Sequence, residues 1–325
     1  MSTDAILISS FTFATMQINR HLALFVLLFG TVGNLLNIWV LSERSLSHNP
    51  CSTYLWWSSL SSVIFIWSGI LTRVLQGYSF NWPNENQPLC KIRLFILIVC
   101  FSVSAWSLVG ASIDRYLRSS VIVKFRNLST VQTARRLLII IITVSVLIFL
   151  EVFYCYDASV PNVPVACYPQ SLPCRLYNDW MLILICTVIP SFFMAVFGSL
   201  TVRNIRTRIV QPAAHVELPH NTTYQNLRLR LNDRNISHML LIQVSVVLLM
   251  NLPVTIQRLY ASLTANLQKT TLRVATENLI YSLVVLVSFL SYSISFYLYI
   301  LTGSMYRAAL RRVVRRLLRR IRLLH

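Results

Sequence analysis

From Ile92 to Tyr116 the chain reads IRLFILIVCFSVSAWSLVGASIDRY, with Cys90 two residues ahead of it. The run has the length and apolarity of a membrane crossing, and it closes on Ser112-Ile113-Asp114-Arg115-Tyr116-Leu117. From Cys90 to Arg115 a helix would cover about 37 Å at about 1.5 Å per residue, enough to cross a hydrocarbon core of about 30 Å. A thiol at one face and an ionisable pair at the other suggest a chain that reads one side of a membrane and acts on the other.

Six more runs of this kind flank it. The expected spans are Leu22–Leu41, Thr53–Leu71, Ile92–Tyr116, Leu137–Tyr156, Trp180–Val202, Met239–Tyr260 and Asn278–Leu301. Of the 325 residues, 55% are hydrophobic and only 12% are charged, about half the charged share of a soluble domain. Backbone polar groups cannot face lipid unpaired, so apolar blocks of about 20 residues must be helices. The expected fold is an all-α membrane protein, a seven-transmembrane-helix bundle. It divides into a short extracellular N-terminus at 1–21, the seven-helix domain at 22–302 and a basic amphipathic cytoplasmic helix at 303–325. The first apolar run starts late and is full length, so it reads as an uncleaved signal anchor.

A net charge of +19 could point to nucleic acid, but its distribution points elsewhere. With the N-terminus outside, 21 of the 29 Lys and Arg fall in inner segments: Arg44, Arg115 to Arg136, Arg203 to Arg234 and Arg307 to Arg322. That asymmetry sets orientation. Basic residues beside a bilayer meet anionic lipid, at about 1 kcal/mol each. Anionic membrane lipids are therefore expected partners, and nucleic acid is not.

The seven cysteines are Cys51, Cys90, Cys100, Cys155, Cys167, Cys174 and Cys186. They form no C-x-x-C pair and no His cluster accompanies them, so neither a metal nor a cofactor is expected. Cys90, Cys167 and Cys174 fall on the outer side, where disulfides persist. Cys167 is the expected partner of Cys90, because it leaves a longer lead into span five. Cys174 is the alternative, and Cys155 can take whichever is left. The sequons at Asn127, Asn221 and Asn235 fall on the predicted cytosolic side and are expected to be unmodified.

Ionisable residues in a membrane are functional by default. Asp114 and Arg115 lie at the inner mouth, and Asp233, just before span six, is the nearest acid able to clasp Arg115 from another helix. A local Asp-Arg pair of no consequence is the bland alternative. Pro190 and Pro253 interrupt helix interiors and permit kinks. Pro253 follows Asn251, whose amide can reach freed backbone groups, so it is the better hinge. At the outer ends Arg73, Glu151, Arg258 and Glu277 are candidate polar anchors of a cavity, although Arg258 and Glu277 could simply pair with each other. Leu97, Ile98, Phe101, Tyr281 and Phe289 would supply the apolar walls that an organic or peptide ligand needs. After Gly303, apolar residues alternate with arginines as in a helix lying along a membrane surface.

These features resemble the rhodopsin-like (class A) G-protein-coupled receptors. The likeness runs from Gly33-Asn34 to the tail. Asp114-Arg115-Tyr116 is similar to the family's D-R-Y, Cys90 to its bridge cysteine, and Pro190 and Pro253 to its span-five and span-six prolines. Ser295-Phe296-Tyr297-Leu298-Tyr299 stands in place of N-P-x-x-Y and keeps the tyrosine. The stretch Ile300 to Arg307 is similar to the peptide-receptor branch, especially FMRFamide-receptor-like orphans. The resemblance implies a plasma-membrane receptor, not an enzyme, that senses a peptide-like ligand and activates a heterotrimeric G protein. In that reading span six swings outward at its inner end, Arg115 is released, and Arg115 and Tyr299 meet the G-protein tail.

There are departures. Ser62 replaces the usual span-two aspartate, with Ser104, Ser291 and Ser295 expected around it, so no sodium site is expected. Asn251 replaces the span-six tryptophan, which puts the usual toggle in doubt. Leu97 removes the carboxylate that amine receptors use, and Phe289 stands where a retinal lysine would. A receptor that binds ligand without coupling is the rival reading. A transporter would need midplane charges, which the spans nearly lack.

Overall fold

A computed structural model describes the backbone at residues 3–80, 85–120, 122–158, 167–210, 220–264 and 267–322. Within these it describes side chains at 4–205 and 236–319, except 305, 317 and 318. Among the described residues, seven helices are long and apolar enough to cross a membrane: α1 Asp4–Leu41, α2 Pro50–Gly77, α3 Gln87–Ser119, α4 Val131–Cys155, α5 Leu172–Ile205, α6 Ile236–Leu263 and α7 Thr271–Ser293. After a break at Ile294, α7 resumes over Ser295–Thr302, and α8 Ser304–Arg322 follows.

Each helix starts before the apolar segment that announces it, while α4 ends at Cys155, one residue short of the expected Tyr156, and α7 breaks after Ser293, inside the expected run to Leu301. Polar caps set the true starts, and they lie outside the hydrocarbon-like runs. Asn49 accepts from Cys51 N–H with Pro50 in the first turn; Asn86, Thr130, Ser171 and Thr270 cap α3, α4, α5 and α7. Such caps satisfy backbone donors that a helix leaves orphaned at its start. The largest difference is at the N-terminus. Residues expected to precede the first span instead form helix from Thr3, through a π turn at Ile18–Leu22. Arg20 fastens this extension to α2: its guanidinium donates to Gly77 O at 2.8 Å and lies 4.7 Å from the centre of the Tyr78 ring.

Helix α3 is the central one, with 61% of its most apolar window buried, against 22% for peripheral α4. At one end of the bundle, Cys90 at the head of α3 is bonded to Cys167, and Cys155 at the end of α4 to Cys174. The segment between α4 and α5 is thereby stapled twice. It carries a two-strand hairpin, β1 Tyr156–Asp157 against β2 Tyr168–Pro169, in antiparallel register. The Asp114-Arg115 pair lies at the opposite end.

Pro190 follows directly on a departure from regular α-helix. The turn before it, Leu182–Val188, is widened into π-helix, and the Trp106 indole donates to the Ile185 carbonyl at 2.9 Å. A π turn and a side-chain donor are the usual ways a helix absorbs a proline.

Candidate functional site

At the Arg115 end the ion pair is buried, not solvated. Arg115 is 2% exposed. Its Nη2 donates to Asp114 Oδ2 at 2.5 Å and to Asn49 Oδ1 at 2.8 Å. Ser129 Oγ donates to the other carboxylate oxygen, Asp114 Oδ1, at 2.5 Å. Asp114 and Arg115 are therefore held by α2 and by the turn before α4 as well as by each other. The weak-surface-pair reading loses its premise, because removing one partner of a buried pair leaves an uncompensated charge. Asn49 and Ser129 went unread in the sequence. The Asn49-Pro50 cap signature could have flagged Asn49, but nothing local marks Ser129. Asp233 lies on the backbone of helix His220–Leu263, and its side chain lies outside the described residues.

A cavity of about 10 Å³ adjoins Arg115, walled by Ser112 on α3, Gly198 and Thr201 on α5, and Ser237, Leu240 and Val244 on α6. It has room for about one water. Tyr116 packs on Phe197 of α5 at 5.5 Å between ring centres. Tyr299 is 1% exposed and its hydroxyl bonds Gln243 of α6. The Tyr299 ring lies 5.5 Å from that of Tyr306, whose hydroxyl donates to Asn37 Oδ1 at 2.5 Å. One chain of contacts thus links α6, α7, α8 and α1.

Mid-bundle, the serines expected around Ser62 divide into three groups. Ser62 and Ser58 each share a hydrogen bond with Ser104, at 2.9 and 3.0 Å. Ser291 instead accepts from Asn251 Nδ2 at 3.2 Å, and Ser295 from Asn37 Nδ2 at 3.3 Å. Asn251 Nδ2 also donates to Val247 O at 2.8 Å, and Asn251 Oδ1 accepts from Ser288 at 2.5 Å. Two residues before Pro253, α6 is thus tied to α7 by amide–hydroxyl bonds where the family's pattern has a tryptophan.

Toward the Cys90 end, Leu97, Phe101 and Phe289 come together. The Phe65 ring stacks on Phe101 at 5.1 Å and on Phe289 at 4.3 Å, and Tyr292 meets Phe65 and Phe101 edge-on. Gly69 permits this: a Cβ there would overlap the Phe289 ring and crowd Leu97. Ile98 lies in a second cluster with Phe149, Val152, Leu182 and Cys186, against α4 and α5, and Leu97 and Phe101 also pack on that cluster. Above the aromatic layer, the Arg73 guanidinium lies 5.4 Å from the centre of the Tyr281 ring.

Arg258 and Glu277 do not pair. Arg258 donates to Asp179 Oδ1 of α5 at 3.1 Å. Glu277 takes Lys269 at 2.6 Å, Arg273 at 3.0 Å and the Tyr260 hydroxyl at 2.8 Å. Glu151 accepts from Asn178 at 3.0 Å, and Asn178 in turn accepts from Tyr156 at 3.0 Å. Burial pushes the Tyr156 hydroxyl well above its ordinary pKa, so it remains a donor.

A family model described as 7 transmembrane receptor (rhodopsin family) matches residues 33–302. The chain belongs to the rhodopsin family of seven-transmembrane receptors. It is therefore a multi-pass membrane receptor and not an enzyme. The receptor is also similar to the neuromedin U receptor homolog nmur-2 of Caenorhabditis elegans. They are 24% identical over 170 residues, covering 49% of this chain and 40% of that protein. The match spans well under half of that relative's length.

Proposed function

We propose that this receptor binds a peptide-like ligand at its Cys90 end and activates a heterotrimeric G protein at its Arg115 end. The Cys90 end and the N-terminus face the cell exterior at the plasma membrane. The observation that carries the proposal is the closed Arg115 site: a buried guanidinium held by Asp114 and Asn49, beside a cavity of about 10 Å³ walled by α5 and α6. Among the described residues, the space beside Arg115 has room for about one water, and α6 forms one of its walls. Pro253 and the Asn251 ties to α7 supply a bend at which it can move. A ligand shifts such an equilibrium only by preferring one arrangement.

The likeness to a relative named as a neuromedin U receptor homologue supports a peptide ligand. Arg73, Tyr281, Arg258, Leu97, Phe101 and Phe289 are the residues proposed to meet it. On the cytosolic side Tyr116, Tyr299 and Asp233 complete the switch, and the arginines of α8 meet anionic headgroups.

The test is Arg115→Ala, in cells screened with a peptide library and read by guanine-nucleotide exchange. Exchange should fall to background while the number of receptors at the surface stays within about twofold. Unchanged exchange removes the role of Arg115. Peptide binding with no exchange in the unmodified receptor would instead favour the non-coupling reading, to which Ser62 and Asn251 lend support. Labelling of the C-terminus from outside intact cells would overturn the orientation.

A further inference from the structure

A second cavity opens between α6 and α7 near the Cys90 end, away from the Arg73–Tyr281 contact. Its volume is about 390 Å³, and Ile256, Tyr260, Arg273, Glu277 and Ile280 are among the residues lining it. Its two isoleucines are exposed: Ile256 by 65% and Ile280 by 44%. They continue a lipid-facing strip of exposed Leu249 and Leu252 on α6 and Leu283 and Val287 on α7. The opposite rim is charged. Lys269 and Arg273 both converge on Glu277, the one carboxylate bonded to either among the described residues. Two cations share one anion, so the rim keeps a net positive charge. Arg273 is anchored by Tyr260, which accepts from its Nη2 at 2.6 Å, yet its side chain remains 40% exposed.

An apolar wall at hydrocarbon depth beneath a cationic rim matches one kind of molecule. We infer that this cleft binds an anionic single-chain amphiphile from the adjoining leaflet. The acyl chain lies along Ile256 and Ile280, and the acidic headgroup meets Arg273 and Lys269. From Arg273 to Ile280 α7 rises about 10 Å, which takes the site from the headgroup layer into the hydrocarbon. A peptide is a poor occupant, because its backbone donors and acceptors would face lipid unpaired. A headgroup phosphate suits the rim, because a charge-assisted bond to guanidinium strengthens as water is excluded. The site does not depend on which ligand activates the receptor or on whether it couples.

The test uses the full-length receptor in detergent, with binding counted by native mass spectrometry. The probes are oleoyl lysophosphatidylglycerol, oleoyl lysophosphatidylcholine and free glycerol phosphate. The anionic lysolipid should bind at least tenfold more tightly than the zwitterionic one, and glycerol phosphate should not bind measurably. Ile280→Trp, which fills the cleft, and Lys269→Ala with Arg273→Ala should each remove that preference. Arg273→Lys should keep most of it, and Arg73→Ala all of it. Equal binding of both lysolipids, or a preference that survives both disruptive changes, would mean ordinary annular lipid and overturn the site. Glycerol phosphate binding as tightly as the lysolipid would also overturn it, in favour of a free-anion site. If the double variant fails to fold, the Arg273→Lys and Ile280→Trp receptors still decide.

Discussion

Asn49 performs two tasks with one side-chain oxygen. It caps the first turn of α2 through Cys51 N–H at 3.0 Å and accepts from Arg115 at 2.8 Å. Removing a cap costs about 1 kcal/mol, and losing a charge-assisted bond to a buried guanidinium costs about 2 kcal/mol. Asn49→Ala should therefore lower the melting temperature of the purified receptor and, under the proposed function, raise its basal nucleotide exchange, because Arg115 loses one of the groups that hold it. Asn49→Asp keeps an acceptor and adds a countercharge, so it should tighten the same site and lower basal exchange. An alanine variant that melts and signals like the parent would remove Asn49 from the lock. Asp114-Arg115 was singled out in the sequence by where it falls on its span. Asn49 reaches Arg115 from 66 residues away and Ser129 reaches Asp114 from 15, beyond any local pattern.

At the scale of elements, α8 is latched to the short turn after α1. The Arg316 guanidinium donates through both terminal nitrogens to Glu43 at 2.8 Å each, and Arg312 donates to Ser45 at 2.7 Å. Arg316 is 61% exposed while Glu43 is buried, so solvent discounts the pair to about 1 kcal/mol. Arg316→Ala should speed backbone amide exchange along α8, and the charge swap Glu43→Arg with Arg316→Glu should restore protection. Equal exchange in all three proteins would show that apolar packing alone holds the helix. The basic amphipathic character of α8 was visible in its spacing of arginines. Its attachment to Glu43 was not, because nothing in the spacing says which loop a surface helix folds against.

Across the whole molecule, two disulfides close very different loops at the Cys90 end. Cys90–Cys167 spans 77 residues and Cys155–Cys174 spans 19. In the chain-entropy view the first is worth about 4.5 kcal/mol and the second about 3 kcal/mol. Cys167→Ser should thus lower the denaturation midpoint in detergent more than Cys174→Ser does. Under the proposed function it should also abolish high-affinity peptide binding, because the hairpin of β1 and β2 loses its tie to α3. The reverse order of stability would mean that local strain outweighs loop closure here. The span boundaries gathered these cysteines at one end, and the longer lead into span five favoured Cys167 for Cys90, as found, but spacing left Cys174 open as the alternative. The pairing depends on where the hairpin turns back over the bundle.

The sequence alone determined that seven helices cross a membrane, because only helices satisfy backbone groups in hydrocarbon and apolar length is written in composition. It also placed the chemistry-bearing residues at their ends. The tertiary structure decided which of them meet: Arg258 with Asp179, not Glu277; Ile98 with Phe149, Val152, Leu182 and Cys186 of α4 and α5; Ser62 with Ser104, apart from Ser291 and Ser295. The rotation of each helix about its axis produces those meetings. Rotation is fixed by side-chain packing against neighbours far away in sequence, at contacts such as Gly69 against Phe289. Hydropathy gives the length of a helix, but only its neighbours decide which way it faces.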